Sequence, residues 1–100
     1  MLLTYLADDP RDSFSLFAIA NEYAGQGRRE EALRYFDELV TIDPNYVGAY
    51  YHLAKLLEDM GDKSRAIETY RKGIEIADLL HDSHSKAELQ SALMEAEGVY

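Results

Sequence analysis

The sequence predicts an all-α chain built as a superhelix of stacked antiparallel helix hairpins, and three observations carry that prediction. Residues 13–46 form a 34-residue unit that begins again at Val47. Within each unit apolar residues recur at three- and four-residue intervals, the spacing that lines one face of a helix. A glycine-containing break then divides each unit into two such segments.

Shifting the first unit by 34 residues superposes Leu16 on Tyr50, Ile19 on Leu53, Ala20 on Ala54, Tyr23 on Leu57, Gly27 on Gly61, Ala32 on Ala66, Leu33 on Ile67, Phe36 on Tyr70, Val40 on Ile74 and Ile42 on Ile76. Size and polarity are largely kept. A fixed period of about 20 to 50 residues marks a repeat architecture, in which one unit cannot bury its apolar face alone and stacks on its neighbours. The breaks, Gly25-Gln26-Gly27-Arg28 and Met60-Gly61-Asp62, put glycine where a left-handed residue closes a helix and reverses the chain. Ala20, Ala32, Ala54 and Ala66 stand where two helices approach closely and a larger side chain would overpack the contact.

Helices are expected near 1–7, 11–25, 28–42, 45–60, 62–81 and 83–97. Leu6 aligns with Val40 and Asp9-Pro10 with Asp43-Pro44, so residues 1–10 read as the end of a preceding repeat's second helix. Leu2, Leu3 and Tyr5 would cap a solenoid poorly, and a piece of a longer array is favoured over an N-terminus decayed to a stub. Asp12 or Ser13 can cap helix 11–25 by accepting a backbone N–H. Helix 28–42 carries Glu30 four residues before Arg34, an orientation worth about 0.2–0.5 kcal/mol, and Pro44 stops it.

Helix 45–60, whose turn Asn45 starts, is followed by one with Glu68 and Lys72 again four apart. Asp78 stands where a second proline would fall, so this helix is expected to continue through Ile74, Ile76, Ala77 and Leu79 to Leu80 or His81. Asp82-Ser83-His84-Ser85 breaks it, and Ser85 with Glu88 three residues on fits a capping box. The last helix has Leu89, Ala92, Leu93 and Ala96 on one stripe, and Gly98 ends it. Residues 13–46 and 47–80 are thus two repeats, and 81–100 a capping helix or a truncated third.

The pattern resembles the tetratricopeptide repeat, whose form runs Trp, Leu-Gly, Tyr, Ala, Phe and Pro. The first copy here reads Leu16, Ile19-Ala20, Tyr23, Ala32, Phe36 and Pro44; the second reads Tyr50, Leu53-Ala54, Leu57, Ala66 and Tyr70, then departs at Asp78. The resemblance covers residues 13–80 directly. It implies a right-handed superhelix whose concave groove, lined by the first helix of each repeat, receives an extended peptide or a partner helix. The helix faces left over after packing name the groove candidates: Phe14, Phe17 and Asn21, then Gly48, Tyr51 and Lys55. Phe17 and Tyr51 correspond across the repeat, as do Asn21 and Lys55. Two aromatic platforms, an amide and one cation suit an apolar segment carrying an acidic group. The alternative is that these aromatics pack on a neighbouring helix or on each other. The carboxylate clamp that one branch of the family builds from Lys, Asn and Arg is incomplete, because only Asn21 falls on such a place, Phe17 replaces a Lys and His52 an Asn.

One hundred residues at 47% hydrophobic content make one domain, which buries roughly 65% of the surface its unfolded chain exposes. No apolar run approaches the ~20 residues of a membrane span, and Met1-Leu2-Leu3 lacks the basic flank and cleavage site of a signal peptide. The absence of cysteine fits a reducing compartment, so a cytoplasmic location is expected. Residues 1–46 hold nine acids and four bases, 47–74 four and five, and 75–100 six and one. That distribution disfavours nucleic acid and anionic lipid, which need clustered Lys and Arg, and leaves room for a basic partner.

No catalytic constellation is present: no cysteine nucleophile, Gly-x-Ser-x-Gly elbow, phosphate-cradling loop or His-Glu-x-x-His. His81 and His84 flank Asp82, yet two imidazoles at a turn fall short of the three or four ligands that hold zinc, so neither metal nor other cofactor is expected. The function expected is that of a protein-interaction scaffold binding a peptide or partner helix. The alternative is an internal segment of a longer solenoid that binds neighbouring repeats or forms a homo-oligomer through exposed terminal helices.

Overall fold

Helix ends in this chain are set by a few aspartates and by residues at positive φ. The computed structural model describes residues 12–98, which form α1 (Ser13–Gly25), α2 (Arg29–Ile42), α3 (Val47–Asp59), α4 (Lys63–Leu79) and α5 (Ser83–Glu97). The helix expected over 1–7, with Leu2, Leu3 and Tyr5, lies outside the described residues.

Asp12 caps α1, accepting from the Ser15 backbone N–H at 2.9 Å and from its hydroxyl at 2.8 Å. Asp82 repeats the arrangement on α5, accepting from the Ser85 N–H at 3.1 Å and hydroxyl at 2.8 Å. The capping box expected at Ser85 is therefore not formed: the helix begins earlier, and the Ser85 hydroxyl donates to the true cap. Asp62 caps α4 through the Arg65 N–H at 3.1 Å. Between α2 and α3 the Tyr46 N–H donates to the Asp43 carbonyl at 3.0 Å, closing a turn over Pro44 that delays α3 to Val47 rather than 45.

Three reversals share one geometry. Gly27, Gly61 and His81 have φ of 78°, 83° and 58°, and the following N–H reaches back to the carbonyl of Tyr23, Leu57 or Ala77 at 2.8–2.9 Å. The left-handed His81 ends α4 at Leu79, short of the expected Leu80 or His81. The i,i+4 pairs expected from spacing are not formed: Lys72 meets Glu75 at 3.0 Å instead of Glu68, and on α2 the pair is Arg28 with Glu31 at 2.7 Å rather than Glu30 with Arg34.

α1 packs antiparallel on α2, α3 on α4, and α5 on α4, while the first helices α1, α3 and α5 touch in sequence. Ala20, Ala32 and Ala66 are buried in one cluster with Phe36, Leu53 and Leu57, and Ala54 is buried in the neighbouring one with Tyr50 and Tyr70, which explains their small size: the backbones meet there. A second cluster joins Tyr50, Tyr70, Ala77, Leu89 and Ala92 across α3, α4 and α5. Polar ties accompany these contacts, the Ser13 hydroxyl donating to Asp43 at 2.7 Å within the first unit and Arg65 pairing with Asp37 across the two units. Among the described residues no helix is long and apolar enough to cross a membrane.

Candidate partner-binding groove

The packing stripes of α1 and α3 face the second helices, which turns the opposite sides of α1, α3 and α5 into one shared surface. Of the residues expected there, Phe14 is 58% exposed, and Gly48 is exposed with no neighbouring atom where its Cβ would be. Asn21 and Lys55 are half-buried. Phe17 is held more firmly than its place outside the packing stripe implies. Its ring centroid lies 5.2 Å from Tyr46, 5.3 Å from His52 and 6.4 Å from Phe36, so it wedges between α1, α2 and α3.

Tyr51 does not meet Phe17 directly. His52 stands between them, its ring 5.3 Å from Phe17 and 5.7 Å from Tyr51, edge-on in both cases. A row of Phe17, His52 and Tyr51 thus runs from α1 to α3. The far side of Tyr51 packs toward α5, and Lys55 places its Nζ 5.7 Å from the Tyr51 ring centroid.

The contribution of α5 was not among the residues named from the sequence. α1 and α3 begin 34 residues apart, but α3 and α5 begin 36 apart. Asp12-Ser13-Phe14-Ser15 recurs as Asp82-Ser83-His84-Ser85, with the same capping bonds, and that recurrence is the sequence signal for the altered step. On this register His84 follows Phe14 and Gly48, Ala87 follows Phe17 and Tyr51, and Ser91 follows Asn21 and Lys55. Where α1 and α3 carry an aromatic ring, α5 carries a methyl group. The result is a cleft of about 440 Å³ between Tyr51 on α3 and His84, Ala87, Glu88, Ser91, Ala92 and Glu95 on α5.

Burial against its ring neighbours holds the His52 imidazole below the ordinary histidine range, opposed by the charge of Glu88. At the deeper side Tyr70 donates its hydroxyl to Glu58. Burial, that hydrogen bond and the charges of Glu58 and Glu95 hold the Tyr70 hydroxyl well above the usual phenol range, so it stays a donor. His84 approaches Glu88 at 3.4 Å. Among the described residues no three His, Asp or Glu side chains gather as a metal would require. Rings, carboxylates, an imidazole and one ammonium on a curved helical face can hold a ligand by contact and charge.

The Tetratricopeptide repeat family pattern matches residues 23–93. A tetratricopeptide repeat domain protein from Salinibacter ruber, solved by NMR, is similar at 43% identity with a TM-score of 0.86, covering 92% of this chain and 93% of that one. The TPR2B domain of yeast Sti1, solved as a complex with pHsp70, has a TM-score of 0.90 at 20% identity, covering 97% and 78%, a likeness of fold. The tetratricopeptide repeat and J domain-containing co-chaperone DNJ1 of Fusarium oxysporum is 34% identical over 65 residues. The aligned stretch is 65% of this chain and 12% of that protein, so the chain spans a small part of the curated relatives it matches. With the repeat read from the period, built as hairpins and matched over residues 23–93, the chain belongs to the tetratricopeptide repeat family.

Proposed function

We propose that the chain is a protein-interaction module whose α1–α3–α5 face receives an extended peptide or a helix of a partner protein. The observation that carries this reading is the row of Phe17, His52 and Tyr51 leading into the α3–α5 cleft. Two half-buried rings, Phe17 and Tyr51, with the exposed His52 between them, offer large contact area at low entropic cost. The yeast Sti1 domain, which shares this fold, is held in a complex with pHsp70. Residues 13–46 and 47–80 then act as two repeats, and α5 as the first helix of a third. Phe14, Asn21, Gly48 and Lys55 form the rim of the same groove. Amide chemical-shift mapping with peptides selected from a random display library tests the reading, since shifts should concentrate on α1, α3 and α5. Shifts confined to α2 and the outer side of α4 would refute it.

One observation favours a second reading, in which the chain is an internal segment of a longer solenoid. Leu79 is 69% exposed, and Leu80 and Met94 are each 45% exposed, apolar surface of the kind a neighbouring repeat covers. Sedimentation across a range of concentrations separates the readings: association that Leu79→Lys and Met94→Lys abolish supports the second.

A further inference from the structure

The α3–α5 cleft differs from the α1–α3 contact in shape and in charge. Between α1 and α3 the space is filled, because Phe17 reaches Tyr46 and His52. Between α3 and α5 Ala87 leaves it open. The cleft carries Glu88 and Glu95 seven residues apart on α5, two helical turns or about 10 Å along the axis. Glu88 is 59% exposed in its side chain, and its partner is His84, which balances it only when protonated. Among the described residues Glu95 has no ion pair. The Glu58 carboxylate is held by the Tyr70 hydroxyl, on which the Glu95 charge also acts. Residues 75–98 hold six acids and a single base, Lys86, whose Nζ is already bound to Asp78 at 2.8 Å.

Resting on the groove reading above, we propose that this cleft receives a lysine or arginine side chain of the partner segment, its stem along Ala87 and the Tyr51 ring and its cation at Glu95. An apolar side chain would fill the volume but strip water from the carboxylates without replacing it. An acidic one would meet two or three like charges, against which Lys55 stands alone, its ammonium directed over Tyr51. A basic side chain meets both demands, because its methylenes lie on apolar surface while its head stays at the polar end. The ligand chemistry is thus the opposite of what Lys55 by itself implies.

The test uses the full chain and a random octapeptide library displayed on phage. Wild-type selection should enrich peptides with Lys or Arg at one fixed position. Binding of a selected peptide should move the amides of Tyr51, Ala87 and Ser91 and weaken at least fivefold with Glu95→Gln. Glu38→Gln, an exposed acid on α2, should leave it unchanged. Equal losses in the two variants would reveal general attraction to an acidic protein and overturn the proposal, as would enrichment of acidic peptides. Peptides that shift α1, α3 and α5 with no basic preference would leave the groove reading standing while removing the cation. Selected peptides that shift none of those helices would remove both.

Discussion

A Cβ placed on Gly73 would stand 2.7 Å from the Cβ of Tyr50 and 3.1 Å from Cδ1 of Leu89. In the first repeat the corresponding pair is Leu16 and Leu39, both buried in one cluster. The second repeat exchanges two medium side chains for one large and one absent, and the Tyr50 hydroxyl gains a hydrogen bond to the Pro44 carbonyl at 2.6 Å. Gly73→Ala should therefore destabilise by about 1–3 kcal/mol from overpacking, less the ~1 kcal/mol that alanine gains in helix propensity. Urea denaturation measures the net loss. The pair Tyr50→Leu with Gly73→Leu should be more stable than the two single changes predict by addition, and strict additivity would refute the exchange.

At His81 the strain is in the backbone. A residue with a Cβ at φ 58° carries a cost of roughly 1–2 kcal/mol that the glycines at the two equivalent reversals avoid. His81→Gly should raise stability by up to about 1 kcal/mol, since glycine returns part of the gain as unfolded-chain entropy. A melting temperature that fell would show that the His81 side chain contributes more than its conformation costs.

The hairpins were legible because packing inside a repeat is periodic: the alanines that let backbones meet and the glycines that reverse the chain recur at 34 residues. The third groove helix was not, because Asp78 in place of proline allows α4 to run 17 residues where α2 runs 14. That lengthening, with a following turn one residue shorter, shifts the step to 36 and removes residues 83–97 from the 34-residue comparison. Only the repeated Asp-Ser-x-Ser cap survives it. The setting of Phe17 was hidden for a different reason. Its neighbour Tyr46 lies in the turn that ends its own unit and His52 comes from the next, and whether they reach it depends on how units join and stack, which a period does not encode.

Truncating the two groove aromatics should consequently give unlike results. Spacing alone implies that Phe17→Ala and Tyr51→Ala both spare the melting temperature. With three ring neighbours, Phe17→Ala should cost about 1–3 kcal/mol, and each kcal/mol lowers the melting temperature of a domain this size by about 4–8 °C. Tyr51→Ala should cost less stability and about 2 kcal/mol of affinity for a selected peptide. Calorimetry and fluorescence anisotropy read the two losses. Equal stability losses would mean that Tyr51 is a packing residue and that its ring is not the ligand's platform.

His52 sits edge-on between Phe17 and Tyr51, within reach of the Glu88 charge. Desolvation there disfavours the imidazolium, so the folded-state pKa lies below the ordinary value of about 6.5. The sign of the linkage follows: the unfolded chain takes up the proton first, so the contribution to stability is fully present above about 6.5 and is lost as pH falls through the folded value. Glu88 opposes the shift by favouring the charged ring. Glu88→Gln should therefore move the His52 midpoint further down and deepen the loss of stability in acid at this site. Proton NMR titration of the imidazole C–H resonances from pH 8 to pH 4 in both proteins measures each midpoint directly. A wild-type midpoint at or above the ordinary value would show that the His52 ring is fully solvated rather than partly desolvated beside the two rings. A midpoint that Glu88→Gln leaves in place would show that α5 does not bring that carboxylate to bear on the groove.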